Sequence, residues 1–180
     1  MPKVIVPLAQ GCEEIEAVTV IDLLRRAGVE VVTVGLDDLP ICASRGVVLI
    51  ADATLDVALV QEFDMVVLPG GQPGTNNLKA DVRILSLLNK MASQEKYVAA
   101  ICAAPSVLAL AGLLDGRKAT SFPGALNAYP KVQQQNLAVV IDGKFITSRG
   151  PGTAIDFALA LIEKLVSKEK REEVAAGLQR

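Results

Sequence analysis

Short apolar runs alternate along the chain with stretches whose apolar residues recur every three or four positions. Lys3 to Leu8 (KVIVPL) reads as a strand punctuated by Gly11. Glu13 to Ala27 reads as a helix in which Val20, Leu23, Leu24 and Ala27 form one stripe. Acids fill its first turn and Arg25-Arg26 its last, an order that suits the helix dipole, and Gly28 ends it. Val29 to Gly35 (VEVVTVG) is the next strand. The opening is therefore β-α-β, a crossover that implies parallel pairing.

The pattern continues in the same way. Asp37 to Pro40 reads as a turn and Gly46 to Ile50 as an extended piece. Met65 to Leu68 (MVVL) and Val98 to Ile101 are unbroken apolar runs, as expected of strands covered on both faces. Helices are predicted over 81–93, with Val82, Leu85, Leu88 and Ala92 on one face, and over 103–114. Lys118 to Ser121 reads as a short strand, and 122–135 as irregular. Asp142-Gly143 marks a hairpin between 137–141 and 144–147. Gly150 to Thr153 opens a last long helix through about Val166. The charged segment 168–180 reads as a short surface helix docked by Val174 and Leu178. The expected fold is one α/β domain over 1–180, a doubly wound, mostly parallel sheet between helices.

Composition narrows the chemistry. The net charge is −2 and the basic residues are scattered, so no stripe exists to track a phosphate backbone; nucleic acid is not expected as a main partner. Tyr97 to Leu114 carries no charge, but Pro105 divides it into a strand and a helix, so no membrane span is expected. No targeting peptide is read at Met1-Pro2-Lys3, and a cytoplasmic location is expected. The 3 cysteines, Cys12, Cys42 and Cys102, are an odd number at long spacings, which argues against a disulfide framework. There is no histidine. That removes most zinc sites and every Cys-His or Ser-His mechanism, and no metal is expected.

In doubly wound sheets ligands bind at the carboxyl ends of the strands. Three segments place distinctive residues there: Gly11-Cys12-Glu13-Glu14-Ile15-Glu16, Pro69-Gly70-Gly71, and Cys102-Ala103-Ala104-Pro105. Cys102 stands where strand gives way to helix, in the manner of a nucleophile elbow, and free amides at the helix start would favour its thiolate. A small core hydrophobe is the plain alternative. Glu16 falls four residues before Val20, on the inward stripe of the first helix, where burial would raise its pKa and let it serve as a proton donor or base. Gly70 and Gly71 could bring backbone amides to an oxyanion, or simply end a strand.

The segments GCEEIEAV (11–18), LLRRAG (23–28), ASRGV (43–47), VVLPGG (66–71), AAICAAP (99–105) and TSRGPGTAIDFAL (147–159) together resemble the ThiJ/PfpI superfamily, in the branch with the parkinsonism-linked deglycase and YajL-like proteins. The resemblance covers nearly the whole chain. It implies a flavodoxin-like sandwich, a homodimer, and a reactive Cys102 with Glu16 as protonated partner. It implies that Gly70, Gly71 and Ala103 line the pocket with amides. It also implies that Arg45 lies near the pocket, supplied across the dimer interface in relatives. The implied activity is detoxification of methylglyoxal or glyoxal, or release of early glycation adducts from thiols and amines, with no cofactor. The alternative is a redox sensor or redox-linked chaperone that oxidises the same cysteine to sulfinate. A hydrolase is the weakest reading, because Phe122 stands where many relatives carry histidine. Cys42 lies one residue earlier than the cysteine that relatives often place before Ser-Arg, so in a strand it would face the other side.

Overall fold

A computed structural model describes residues 1–179. β1 (Lys3–Leu8), α1 (Glu14–Arg26) and β2 (Glu30–Gly35) form the opening β-α-β unit, and β1 pairs in parallel with β2 from Lys3↔Glu30 to Leu8↔Gly35. A small antiparallel hairpin, β3 (Ile41–Cys42) and β4 (Val48–Leu49), follows, then edge strand β5 (Ala53–Thr54) and the one-turn α2 (Leu55–Ala58). Next come β6 (Met65–Leu68), α3 (Gly74–Ala80), α4 (Val82–Ser93), β7 (Tyr97–Ile101) and α5 (Pro105–Leu110). β8 (Lys118–Ala119) and β9 (Gln133–Gln134) are short; β10 (Val139–Asp142) and β11 (Phe145–Ser148) form the expected hairpin. A 3-10 turn (Pro151–Thr153) leads to α6 (Ala154–Leu165) and α7 (Lys168–Gly177).

The main sheet has 7 strands in the order β10-β11-β7-β6-β1-β2-β5, all parallel except β10. From β1 the chain builds outward through β2 and β5, then returns to β6 and builds the other way. The order therefore reverses between β1 and β6, and the crevice at their carboxyl ends is where such a sheet holds a ligand. Strand residues alternate between two cores. Val4, Val6, Leu8, Met65 and Val67 pack under α1 and α6; Ile5, Val66, Leu68 and Val98 pack under α4 and α5. Both faces are covered, which is why these strands read as unbroken apolar runs.

The differences from expectation are local. α5 is shorter than the predicted 103–114, because Ala103 and Ala104 belong to the turn after Cys102, and Gly112, at φ 76°, stops any extension. α3 was not anticipated, since GTNNLKA carries one large apolar residue, the buried Leu78. α4 buries Ile84, Leu87, Leu88 and Met91, whereas Val82 is 75% exposed. Two stripes fitted the helical period there, and the one with the larger side chains faces the sheet. α7 buries Val174 as expected, with Leu178 packed at the same core; Arg180, the end of the predicted helix, lies outside the described residues.

Candidate active site

Cys102 directly follows β7 with φ 65°, a left-handed conformation that costs a non-glycine residue roughly 1–2 kcal/mol. Its neighbours hold it there. The Cys102 amide donates to the Ser148 carbonyl on β11 (3.0 Å), and the Phe122 amide donates to the Cys102 carbonyl (2.7 Å). The third support is the absence of a side chain at Gly70. A methyl there would lie 2.7 Å from Cys102 Cβ and 2.8 Å from the Ile101 carbonyl oxygen. Gly71 meets the loop after β1 in the same way: its φ is 89°, and a methyl would lie 2.5 Å from the Glu13 amide nitrogen.

Glu16 comes from the first turn of α1 and is fully buried. Its Oε2 accepts the Gly70 amide at 2.8 Å. The carboxyl also meets the Cys102 thiol in a side-chain hydrogen bond, close enough for each group to shift the other's ionisation. Burial pushes the Glu16 pKa up to about 7, against the pull of the Gly70 amide and the thiol; the charge on Glu13 adds to the rise. Glu13 caps α1, accepting the Glu16 amide at 2.8 Å. Its carboxylate therefore fixes the backbone of the residue whose side chain reaches the sulfur.

Burial likewise pushes the Cys102 thiol up, to about 12, and the Glu16 charge and hydrogen bond push the same way. The Ala103 and Gly71 amides, aimed at the sulfur, pull it down but do not win. The amides favour the thiolate as expected, but the net shift runs the other way. Cys102 is only 8% exposed, and desolvation outweighs two amide dipoles. Negative charge reaches the sulfur only if its proton has somewhere to go, and Glu16 is the adjoining base.

A cavity of about 270 Å³ opens over the sulfur, lined by Cys102, Gly71, Ala103, Arg45, Phe122 and Glu13 among others. The structure thus gathers Cys102, Glu16, Gly71, Ala103, Arg45 and Phe122 at one crevice. Gly70 is also there, but its amide is committed to Glu16. Arg45 lines the cavity of its own chain. The Glu14 carboxylate anchors the turn that carries it, accepting the Arg45 amide (2.8 Å) and the Ser44 hydroxyl (3.0 Å). The sequence reading missed this role, treating Glu14 as an ordinary first-turn acid. Ser44, Gln72 and Pro151 also line the cavity. The Ser-Arg-Gly and Gly-Pro-Gly runs were the available signal for Ser44 and Pro151. Cys12 does not line it. This thiol is 1% exposed and pushed up to about 12, first by burial and then by the charge on Glu14. Cys42 is exposed while Ala43 is buried, so the two face opposite sides as the strand period requires.

Comparison with known proteins bears on this arrangement. The model of the DJ-1/PfpI family matches residues 2–164. The chain is 43% identical over 171 residues to protein DJ-1 homolog B of Arabidopsis thaliana, covering 94% of this chain but 39% of that protein, so it spans well under half of that relative. Against protein dj-1beta of Drosophila melanogaster it is 44% identical over 179 residues, covering 97% of this chain and 95% of the relative. The crystal structure of Drosophila DJ-1beta superposes with a TM-score of 0.96 at 41% identity, over 99% of this chain and 97% of that one. Glutathione-independent glyoxalase DJR-1.2 of Caenorhabditis elegans is 33% identical over 172 residues, covering 94% and 91%.

Proposed function

The chain belongs to the DJ-1/PfpI family, and we propose that it converts 2-oxoaldehydes such as methylglyoxal to 2-hydroxy acids without a cofactor. One observation carries this reading: a buried acid and two backbone amides converge on the sulfur of a strained cysteine at the floor of a small open cavity. At about 270 Å³ the cavity is below the roughly 300–1,000 Å³ usual for drug-sized ligands, which favours a small substrate. The relative named as a glutathione-independent glyoxalase supports the reaction class.

The steps use only residues of the crevice. The Glu16 carboxylate accepts the thiol proton as the Cys102 sulfur bonds to the aldehyde carbon. The Gly71 and Ala103 amides, which lie at the sulfur, would meet the oxygen that gains charge beside it, and the proton passes to that oxygen, leaving a hemithioacetal. Glu16 then removes the hydrogen on that carbon as a proton, giving an enediol, and returns it to the neighbouring carbon. The product is a thioester, which water cleaves to the hydroxy acid and free thiol. One carbon is oxidised and its neighbour reduced, so no external oxidant is consumed. A carboxyl with pKa about 7 has both protonation states accessible near neutrality, as a group that both takes and returns a proton requires. The same adduct chemistry extends to early glycation adducts of thiols and amines.

Lactate formation from methylglyoxal tests this. Cys102→Ser is expected to abolish it and Glu16→Gln to lower it about 10²–10⁴-fold. Turnover that survives both changes eliminates the mechanism.

The Glu16 carboxyl beside the Cys102 sulfur favours a second reading, a redox sensor. Peroxide would oxidise Cys102 to sulfenate and then sulfinate, and protonated Glu16 would donate to a sulfinate oxygen. Gain of two oxygens at Cys102 under mild peroxide, without aldehyde turnover, would select this reading. The exposed apolar residues Ile15 and Val18 on α1 and Val47, Val48 and Ile50 around β4 support a homodimer, which sedimentation would detect. Three free thiols support a reducing, cytoplasmic setting, and among the described residues no helix is long and apolar enough to cross a membrane.

A further inference from the structure

Phe122 is half exposed and lines two cavities. The first is the crevice over Cys102. The second is a cavity of about 370 Å³, lined by Ser121, Gln134, Gln135, Asn136 and Arg149 among others. The two adjoin through the backbone. The Phe122 amide is bonded to the Cys102 carbonyl, and Arg149 lies between Ser148, whose carbonyl accepts the Cys102 amide, and Gly150-Pro151 beside the catalytic crevice. Among the described residues no acidic side chain lines the second cavity.

The charge pattern singles it out. Among the described residues Arg25, Arg26, Arg83, Arg117 and Arg171 each pair with a carboxylate. Arg45 and Arg149 do not. Arg45 reaches only the Ser44 carbonyl at 3.5 Å, and Arg149 only the neutral Asn136 Oδ1 at 3.4 Å. Among the described residues, the two guanidiniums without a carboxylate line the two cavities that share Phe122. A guanidinium matches a carboxylate with two parallel hydrogen bonds.

We infer that the cavity beyond Phe122 is a subsite for a carboxylate on the substrate, with Arg149 as its anchor. This rests on the aldehyde reading above and narrows it. The preferred substrates are 2-oxoaldehydes that carry an acid a few carbons from the reacting carbonyl, with the connecting carbons passing Phe122.

Two measurements test the inference. The first compares kcat/KM for 4,5-dioxopentanoate with that for neutral 2-oxopentanal. The wild type is expected to favour the acid, and Arg149→Gln to cut that preference about tenfold to a hundredfold, mostly through KM, as loss of a charge-assisted hydrogen bond implies. Arg149→Lys should restore part of it. A wild type without the preference, or a preference that survives Arg149→Gln, overturns the subsite. The second measurement needs no turnover: 4-oxopentanoate, which has no aldehyde, is titrated into Cys102→Ser protein while the side-chain amide NMR signals are followed. Saturable shifts that vanish in the double variant with Arg149→Gln uphold the subsite even if the aldehyde chemistry fails. Absence of binding, or binding that persists without Arg149, sinks the subsite while leaving the aldehyde chemistry to stand or fall by its own assay.

Discussion

Cys12 and Cys102 follow neighbouring parts of the same sheet, both are buried, and burial pushes both thiols up to about 12. Their surroundings then diverge. Cys12 lies in a loop sealed by Gly74, where a methyl would sit 2.7 Å from the Cys12 amide, and its carbonyl holds the Ser44 amide. The acids around it act only as charges that oppose a thiolate. Cys102 sits in a left-handed turn that opens on a cavity, with two amides aimed at its sulfur and a buried carboxyl whose own pKa is raised to about 7. A raised thiol pKa therefore does not by itself separate the two surroundings. What distinguishes them is a base able to take the proton and an opening for the electrophile.

The largest expected difference is in turnover. Cys102→Ala should reduce 2-oxoaldehyde conversion to background, while Cys12→Ala keeps its order of magnitude and costs about 1 kcal/mol of stability from lost packing. Equal losses of turnover in a methylglyoxal assay would erase the contrast.

Next is a pH effect specific to the Cys102 side. Glu16 titrates near 7 in the fold against 4.5 for an unperturbed glutamate. The folded state therefore holds a proton that the unfolded chain releases. This stabilisation is complete below pH 4.5 and is lost as pH rises toward 7, a swing of about 3 kcal/mol. Denaturant unfolding across this range should show wild type falling relative to Glu16→Gln by that amount. Parallel curves would mean that the carboxyl is not desolvated.

The smallest effect separates the two glycine contacts. Gly70→Ala and Gly74→Ala each force a methyl to 2.7 Å from its neighbour, at a cost of about 1–3 kcal/mol. Only Gly70→Ala presses on Cys102 Cβ, so it should lower turnover beyond what its lost stability explains, while Gly74→Ala melts earlier with its turnover per folded molecule retained. Melting curves with active-site titration check this.

The sequence carried much of the fold because strand and helix periods are local. The β-α-β opening, the buried runs at β6 and β7 and the β10–β11 hairpin follow from spacing alone. It erred where two periodic stripes competed, on α4, and where a helix had little apolar content, on α3. At the site, the inward stripe of α1 pointed to Glu16, and the strand-to-helix junction made Cys102 a candidate beside the plain reading of a core cysteine, since both depend on the positions of near neighbours. The tether from Glu14 to the Arg45 turn, the commitment of the Gly70 amide to Glu16, and the second cavity behind Phe122 lay beyond it. Each joins segments about thirty or more residues apart, or depends on where a chain turns in space. The net ionisation of the thiol was also settled by the tertiary structure. Amides at a strand end can be read from order along the chain, but desolvation depends on everything packed around the sulfur.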